Sequence, residues 1–301
     1  MTSSLVGSEM CIRDRYNTIY NYLTKVSSFQ RGRNMEAMLY KPNHEYISEE
    51  QFNEVTLKTL KENKEGITEY PVLDFDERAL DLLSSGIKET LKSSKVKVAG
   101  GKEYEFLKRL FDIVMSFTAL LVLAIPLLII ALIIFLGDKG NPIFSQVRLT
   151  KEGKPFRMYK LRSMCVDAEA KFAEVQKENK SDGLAFKSDD DPRITKIGKF
   201  IRKTSIDELP QLFNVLKGDM SIIGPRPPLP REVVLYTPHH MDRLLVKGGL
   251  SCICQTEGRS DMPFEEWVDS DIKYIENRSA GFDLKLMFKT VSAVLLRKGA
   301  K

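Results

Sequence analysis

From Ile113 to Leu136 the chain reads IVMSFTALLVLAIPLLIIALIIFL, 24 residues without a charge. A soluble core helix of that length carries some polar face, so the pattern predicts a membrane-embedded helix. A simple spanning helix fits the hydropathy. Pro126, near the middle, argues for another path, because proline removes a backbone donor and crowds the preceding turn. A break there gives two half-helices of about 18 Å, too short to cross a core of about 30 Å singly but long enough to dip in and return. Lys102, Lys108 and Arg109 stand before the run and Lys139, Arg148 and Lys151 after it, which draws both flanks toward the cytoplasm. The expectation is a re-entrant helix-break-helix hairpin over residues 102–140, broken at Pro126.

Residues 16–101 form a polar extension with Leu57, Leu60, Leu80, Leu82 and Leu83 at helix-compatible spacings and no assignable motif. Residues 141–301 return to the composition of a soluble, α-rich domain. Within it, Val166 to Asn179 reads as a charged helix, and Asn179 to Arg193, marked by Gly183 and Pro192, as an irregular loop. Pro210 to Leu216 has helical spacing and a stop at Gly218. The tail is amphipathic, with Phe282, Leu284, Leu286, Met287, Val291, Val294 and Leu295 on one face and Lys285, Lys289, Arg297 and Lys298 around the rest. Such a helix packs on the core or lies in the membrane interface. The fold expected is mainly α with little β: the hairpin, then a compact cytosolic domain. Residues 1–15 are set aside, because EMCIRDR resembles a translated sequencing adapter. On that reading the native N-terminus is missing, and whether an upstream domain went with it is left open.

Composition excludes several chemistries. A net charge of +5 over 301 residues is too modest to point to nucleic acid by itself. Cys11, Cys165, Cys252 and Cys254 have neither C-x-x-C nor zinc spacing and read as reduced thiols. Three histidines, with His239 and His240 in what reads as a solvated turn after Pro238, leave little room for a histidine metal site or a Ser-His-Asp triad.

The chemistry concentrates in SIDELPQ, Ser205 to Gln211. Adjacent carboxylates repel, so one of Asp207 and Glu208 binds a cation, meets an arginine or keeps a proton. Ser205-x-x-Glu208 also matches a capping box, with no catalysis implied, although Pro210 prefers the first helical position. Arg202 and Lys203 precede the pair, and Arg226 follows between Pro225 and Pro227. Arginines, a helix start and a carboxylate pair able to hold Mg²⁺ are the parts that phosphoryl transfer uses. A lipid-borne acceptor would meet a cytosolic phosphorylated donor at the bilayer surface.

KRLFDIVMSF leading into the broken apolar run, KPFRMYKLRSM (Lys154 to Met164), Asp191 to Pro230 with its SIDELPQ and GPRP, and EGRSDMPFEEWVDSDIKYIENRS (Glu257 to Ser279) together resemble the bacterial sugar transferase family. These are monotopic phosphoglycosyl transferases, and the resemblance covers about Lys102 to Lys298. It implies a re-entrant helix and a catalytic domain with interfacial helices on the cytoplasmic face of the bacterial inner membrane. It implies that Asp207 attacks the β-phosphate of a UDP-sugar, releasing UMP, and that polyprenyl phosphate then takes the sugar phosphate, at the start of exopolysaccharide, capsule or O-antigen assembly. Glu208, with Asp207, would hold Mg²⁺. Lys160, Arg202, Pro225, Arg226, Pro227 and Asp271 match positions around the substrate phosphates. Hexose-1-phosphate donors, glucose or galactose, are favoured over N-acetylated ones by the Trp267 to Ser279 region. Oligomeric state is left open, a homodimer included.

The chain departs from the family pattern where Ile125 precedes Pro126 in place of serine, where Thr150 replaces a glycine, and in VKGGLSCICQ, where Gly248 replaces a proline and Cys252 a glycine. Loop rigidity and sugar selection are the properties these changes touch. Two rival readings stand beside the covalent one. In the first, polyprenyl phosphate displaces UMP directly and both carboxylates serve only the metal. In the second, a membrane-anchored scaffold or nucleic-acid module uses the basic cluster Arg148 to Arg162, but its only aromatics, Phe156 and Tyr159, show no stacking pattern.

Overall fold

The computed structural model describes residues 77–168, 191–234, 236–257 and 262–295, with Phe75 and two short antiparallel strands, β1 (Leu39–Tyr40) and β2 (Tyr46–Ile47). Residues 1–15, most of the 16–76 extension, most of the expected charged helix and loop over 166–193, and the end of the tail lie outside these described residues. The elements that follow are α1 (Glu77–Leu91), α2 (Lys102–Asp138), β3 (Ile143–Leu149), β4 (Pro155–Leu161), α3 (Lys196–Lys203), α4 (Gln211–Lys217), β5 (Ser221–Ile223), α5 (Pro230–Val233), α6 (Pro238–Met241), β6 (Gly249–Ser251), α7 (Ile253–Glu257), α8 (Phe264–Asn277) and α9 (Ala280–Leu295). The chain divides into two compact units, residues 1–94 with 229–242 and residues 95–228 with 243–301.

In the first unit, α1 buries Leu80, Leu83 and Ile87, an i, i+3, i+7 stripe, and packs on α6. The histidine pair there is no solvated turn. His239 is exposed, but His240 is buried, its ring edge-on to Tyr236 at 5.7 Å and its Nδ1 accepting from the Thr237 N–H at 3.3 Å. The cause is local: Thr237 caps α6, its Oγ1 accepting from the His240 N–H at 3.2 Å, and winds the pair into a helical turn.

The second unit carries the candidate site. Its basic stretch Arg148 to Arg162 lies largely in an antiparallel hairpin, with β3 and β4 in register from Ile143↔Leu161 to Leu149↔Pro155. Alternation explains it, since Phe156 and Met158 are buried while Arg157 between them is exposed. Phe156 and Met158 join Val215 and Met220 in one core cluster; Ile223, Val246, Ile253, Tyr274, Ile275 and Leu286 form another. β5 and β6 pair in parallel. Helix α4 starts after Pro210 and ends at Gly218 with φ 97°, as its sequence predicts. Fully buried Asn214 fastens it to β4: Nδ2 donates to the Arg157 carbonyl at 2.7 Å and Oδ1 accepts from the Tyr159 N–H at 3.0 Å.

Helix α2 runs 37 residues with helical turns on both sides of Pro126; the proline does not end it. Proline removes a single N–H, and the remaining hydrogen bonds of an apolar run keep the helix assigned on both sides. Its most apolar 18 residues have mean hydropathy 3.3 and are 6% buried, so this is no core helix; it is long and apolar enough to cross a membrane. Both flanks dock on the second unit. Arg109 donates to the Val215 and Leu216 carbonyls at 2.6 and 2.8 Å, capping the C-terminus of α4, and Asp112 accepts from the Ile222 N–H at 3.0 Å. At the far flank, Asp138 meets Arg162 bidentately at 2.5 and 2.6 Å. Ile134 packs with Leu161 of β4 and Ile201 of α3, joined by Leu127, Ile130 and Ala131.

Helix α9 is tied to the start of α2, because Asp283 accepts from Tyr104, Lys108 and Tyr274 at 2.8, 2.6 and 2.8 Å. The tail does not present the single apolar face expected of it. Phe282, Leu286 and Met287 pack into the core, whereas Leu284, Phe288 and Val291 form a second, exposed stripe.

Candidate active site

Ser205, directly before the carboxylate pair, adopts φ 57° and ψ 17°, a left-handed conformation uncommon for a residue with a Cβ. Its side chain makes no cap hydrogen bond, so the S-x-x-E pattern is not a capping box. Residues Ile206–Glu208 form one 3₁₀ turn, and α4 begins only after Pro210. The turn buries Asp207 at 8% exposure and leaves Glu208 half-buried.

Strand β4 brings Lys160 to this turn, its Nζ 2.7 Å from Glu208 Oε1. The partners lie 48 residues apart, and the Asn214 clamp between α4 and β4 fixes their approach. Helix α3 brings Arg202, whose Nε donates to Ser163 Oγ at 2.8 Å. Burial lowers its pKa, with Asp207 and Asp191 acting the other way. Asp191 in turn pairs with Arg193 at 2.6 Å.

The two carboxylates are electrostatically unlike. Burial pushes Asp207 up to about 6, against the pull of Lys160 and Arg202 and helped by the charge of Glu208. Burial would also raise Glu208, but the charge and hydrogen bond of Lys160, with Arg226 and Arg148, outweigh it and hold Glu208 below the usual carboxylate range.

The Pro225-Arg226-Pro227 loop follows β5 and is fixed at several points. Arg148 Nη1 donates to the Pro227 carbonyl at 2.9 Å, Leu149 N–H to Pro228 at 3.0 Å, and Gly249 N–H to Pro225 at 2.8 Å. Gly224 and Gly249 touch backbone to backbone; a Cβ on Gly249 would sit 2.1 Å from the Gly224 nitrogen. The Arg226 guanidinium lies 5.5 Å from the centre of the Trp267 ring. Arg243 stacks on the same indole at 4.9 Å and is paired through Nε, at 2.8 Å, with Asp271, itself 1% exposed. Asp271 thus binds Arg243 directly, and reaches Arg226 through Trp267. Pro126 lies apart, in the apolar run of α2.

The structure brings the sequence-predicted dyad, Lys160 and Arg202 together and sets Arg226 among the charges acting on Glu208, whereas Asn214, Ser163, Arg243 and the part played by Trp267 were not expected from the sequence. No local signal marks Arg243, which lies 28 residues from Asp271. Two departures from the family pattern meet in space. Gly248 N–H donates to Thr150 Oγ1 at 3.2 Å, and Thr150 donates to the Asp219 carbonyl at 2.9 Å. A proline at 248 has no N–H to give. Cys252 and Cys254 are buried free thiols with sulfurs 2.9 Å apart. Three cations of the basic hairpin are engaged at the site or in the fold: Arg148 on Pro227, Lys160 on Glu208 and Arg162 on Asp138.

No group of three or more metal-ligating side chains occurs among the described residues. Mg²⁺ needs fewer when phosphate is present, since one or two carboxylates with substrate oxygens and water complete its shell. Asp207 and Glu208 fit that pattern. A partly ionised buried carboxylate, a neighbour held ionised and three cations suit an anionic, phosphate-bearing substrate.

Residues 103–297 match the profile of the family described as bacterial sugar transferase. The chain belongs to that family. It is 50% identical over 165 residues, 54% of this chain and 37% of the relative, to a galactosyl transferase, CpsE, of Streptococcus agalactiae serotype III. It is 43% identical over 203 residues, 65% of this chain and 42% of the relative, to an undecaprenyl-phosphate galactose phosphotransferase of Salmonella typhimurium. It is 37% identical over 205 residues, 66% and 46% of the two chains, to a UDP-N-acetylgalactosamine-undecaprenyl-phosphate N-acetylgalactosaminephosphotransferase of Aeromonas hydrophila. In each case the alignment spans less than half of the relative's length.

Proposed function

We propose that this protein transfers a sugar 1-phosphate from a UDP-sugar to polyprenyl phosphate, through a phosphosugar carried on Asp207. A carboxylate oxygen of Asp207 attacks the β-phosphorus, the bond to the bridging oxygen breaks, and UMP departs. An oxygen of polyprenyl phosphate then attacks the same phosphorus, forming the polyprenyl diphosphate sugar and restoring the carboxylate. The acyl phosphate between the steps stays high in energy, so the second transfer is not steeply uphill. Lys160, Arg202 and Arg226 orient and neutralise phosphate oxygens. Glu208, with Asp207, would hold Mg²⁺, which supplies further charge neutralisation on the diphosphate.

The observation that carries the reading is the unequal dyad: a buried Asp207 beside a Glu208 already held by Lys160. Glu208 is committed to a cation, and Asp207 is the carboxylate left for chemistry. Replacement Asp207→Asn is expected to abolish UMP release from UDP-galactose in nanodiscs with Mg²⁺ and acceptor present. Undiminished release would remove Asp207 from the nucleophile's role. A panel adding UDP-glucose and UDP-N-acetylgalactosamine assigns the sugar, with the hexose donors expected to lead.

A re-entrant seat for α2 on the cytoplasmic face of the inner membrane belongs to the same reading. Its support is the docking of both flanks, Arg109 and Asp112 before the apolar run and Asp138 after it, on one folded unit. A helix crossing the bilayer carries its flanks to opposite sides. The exposed Leu284, Phe288 and Val291 of α9 support an interfacial seat for that helix.

A further inference from the structure

Cys252 and Cys254 form a pair for which the transfer reaction has no use. They lie at the junction of β6 and α7, buried and free, with their sulfurs 2.9 Å apart. Ile253 between them joins the core with Val246, Tyr274 and Ile275, and the two thiols meet away from it. Closing the pair to a bond of about 2.0 Å asks the sulfurs to approach by less than about 1 Å. Cys252 stands where the family pattern has a glycine, so the pair belongs to this chain rather than to that pattern.

Its place in the fold gives such a closure a consequence. The Ser251 carbonyl, one residue before Cys252, accepts from the Gly224 N–H at 2.9 Å, and the Gly249 N–H donates to the Pro225 carbonyl at 2.8 Å. The two strands leave no slack, since a Cβ on Gly224 would sit 2.6 Å from the Lys247 carbonyl oxygen. On another side lies Asp271, the partner of Arg243 beneath the Trp267 ring that carries Arg226. The hydrogen bond with Cys254, burial and the charge of Asp271 push the Cys252 thiol up, so it keeps its proton and Cys254 meets an oxidant first. The thiol pair thus adjoins both supports of Arg226, the backbone before it and the ring beside it.

We propose that Cys252 and Cys254 are a modification site, a dithiol that a hydroperoxide closes to an intramolecular disulfide, and that closure displaces the seat of Arg226. The Cys254 sulfur attacks the outer peroxide oxygen, the O–O bond breaks, and an alcohol, or water from hydrogen peroxide, departs and leaves a sulfenic acid. The Cys252 sulfur then attacks Cys254, the S–S bond forms, and the hydroxyl leaves as water with the Cys252 proton. Two thiols lose two electrons in all and one peroxide gains them. A thiol reductant reverses the closure, as expected of a redox-sensing pair in a reducing compartment.

The test treats the full chain in nanodiscs with hydrogen peroxide, alkylates it and digests it with trypsin. Both cysteines fall in one peptide, Gly248 to Arg259. The expected result is that this peptide loses two hydrogens and escapes alkylation, and that dithiothreitol given before alkylation restores both thiols. Emission from Trp267, the single tryptophan, shifts with closure, and UMP release at limiting UDP-galactose falls about tenfold, both reversed by dithiothreitol. Cys254→Ser releases UMP as untreated wild type does and shows neither change under peroxide. Retention of both thiols at peroxide levels that oxidise Cys165, or a disulfide that moves neither emission nor UMP release, overturns the proposal. Absence of UMP release before oxidation counts against the transfer reaction alone, because mass and emission still decide the disulfide.

Discussion

In the proposed reaction a single side chain sets the chemistry, and its surroundings hold it in an unfavourable state. Asp207 binds its proton more tightly in the folded chain than in the unfolded one, so its ionisation destabilises the fold. With a folded pKa of about 6 against an ordinary 3.8, the native state holds the extra proton between those values, and stability falls as pH rises from about 4 to 6. The full shift corresponds to at most about 3 kcal/mol. Asp207→Asn is therefore expected to raise the denaturation midpoint at pH 8, with the gain shrinking as pH is lowered through 6 toward 4; an unchanged or lowered midpoint at pH 8 counts against the burial effect. Transfer should fail on the acid side for the same reason, since a protonated carboxyl is no nucleophile, and the acid limb is expected near pH 6. Lys160 is the strongest charge holding that value down. In Lys160→Met the acid limb should move to higher pH, with a fall in kcat of about a hundredfold or more from lost phosphate stabilisation. An unmoved limb would mean that a group other than Asp207 sets it.

Elements matter through the few side chains that fasten them. Asn214 closes α4 against the edge of β4 and so fixes the distance from Glu208 to Lys160. Asn214→Ala orphans the Arg157 carbonyl and the Tyr159 N–H in a buried place and is expected to lower stability by about 2 to 4 kcal/mol in denaturant unfolding. The same contacts show what the sequence could and could not disclose. The limits of α4 were legible because Pro210 and Gly218 are local punctuation, and the dyad because two acids before a proline are unusual. The β3–β4 hairpin was not, since its buried Leu149, Phe156, Met158 and Leu161 are interleaved with arginines and lysines that read as a basic run. Asn214, Arg243 and the left-handed Ser205 stayed hidden because each depends on partners or backbone set by packing across tens of residues. Pro126 does not end the helix, because loss of one backbone donor leaves the surrounding turns intact, and a re-entrant path asks only for a bend at that point.

At the scale of the molecule, an apolar helix with both flanks on one unit poses a topological question that labelling answers. With Lys102→Cys and Lys139→Cys in separate variants, a membrane-impermeant maleimide is expected to reach both from the cytoplasmic side only. Labelling from opposite sides would establish a spanning helix. The proposed reaction also requires that the transferred group pass from a donor in water to an acceptor in lipid. Intact-protein mass spectrometry on enzyme incubated with UDP-sugar and Mg²⁺ but no polyprenyl phosphate tests that directly. The account predicts one added sugar phosphate, located to the peptide containing Asp207, released on adding the acceptor and absent from Asp207→Asn. An unmodified protein under conditions that preserve acyl phosphates, with turnover intact once acceptor is supplied, would contradict it.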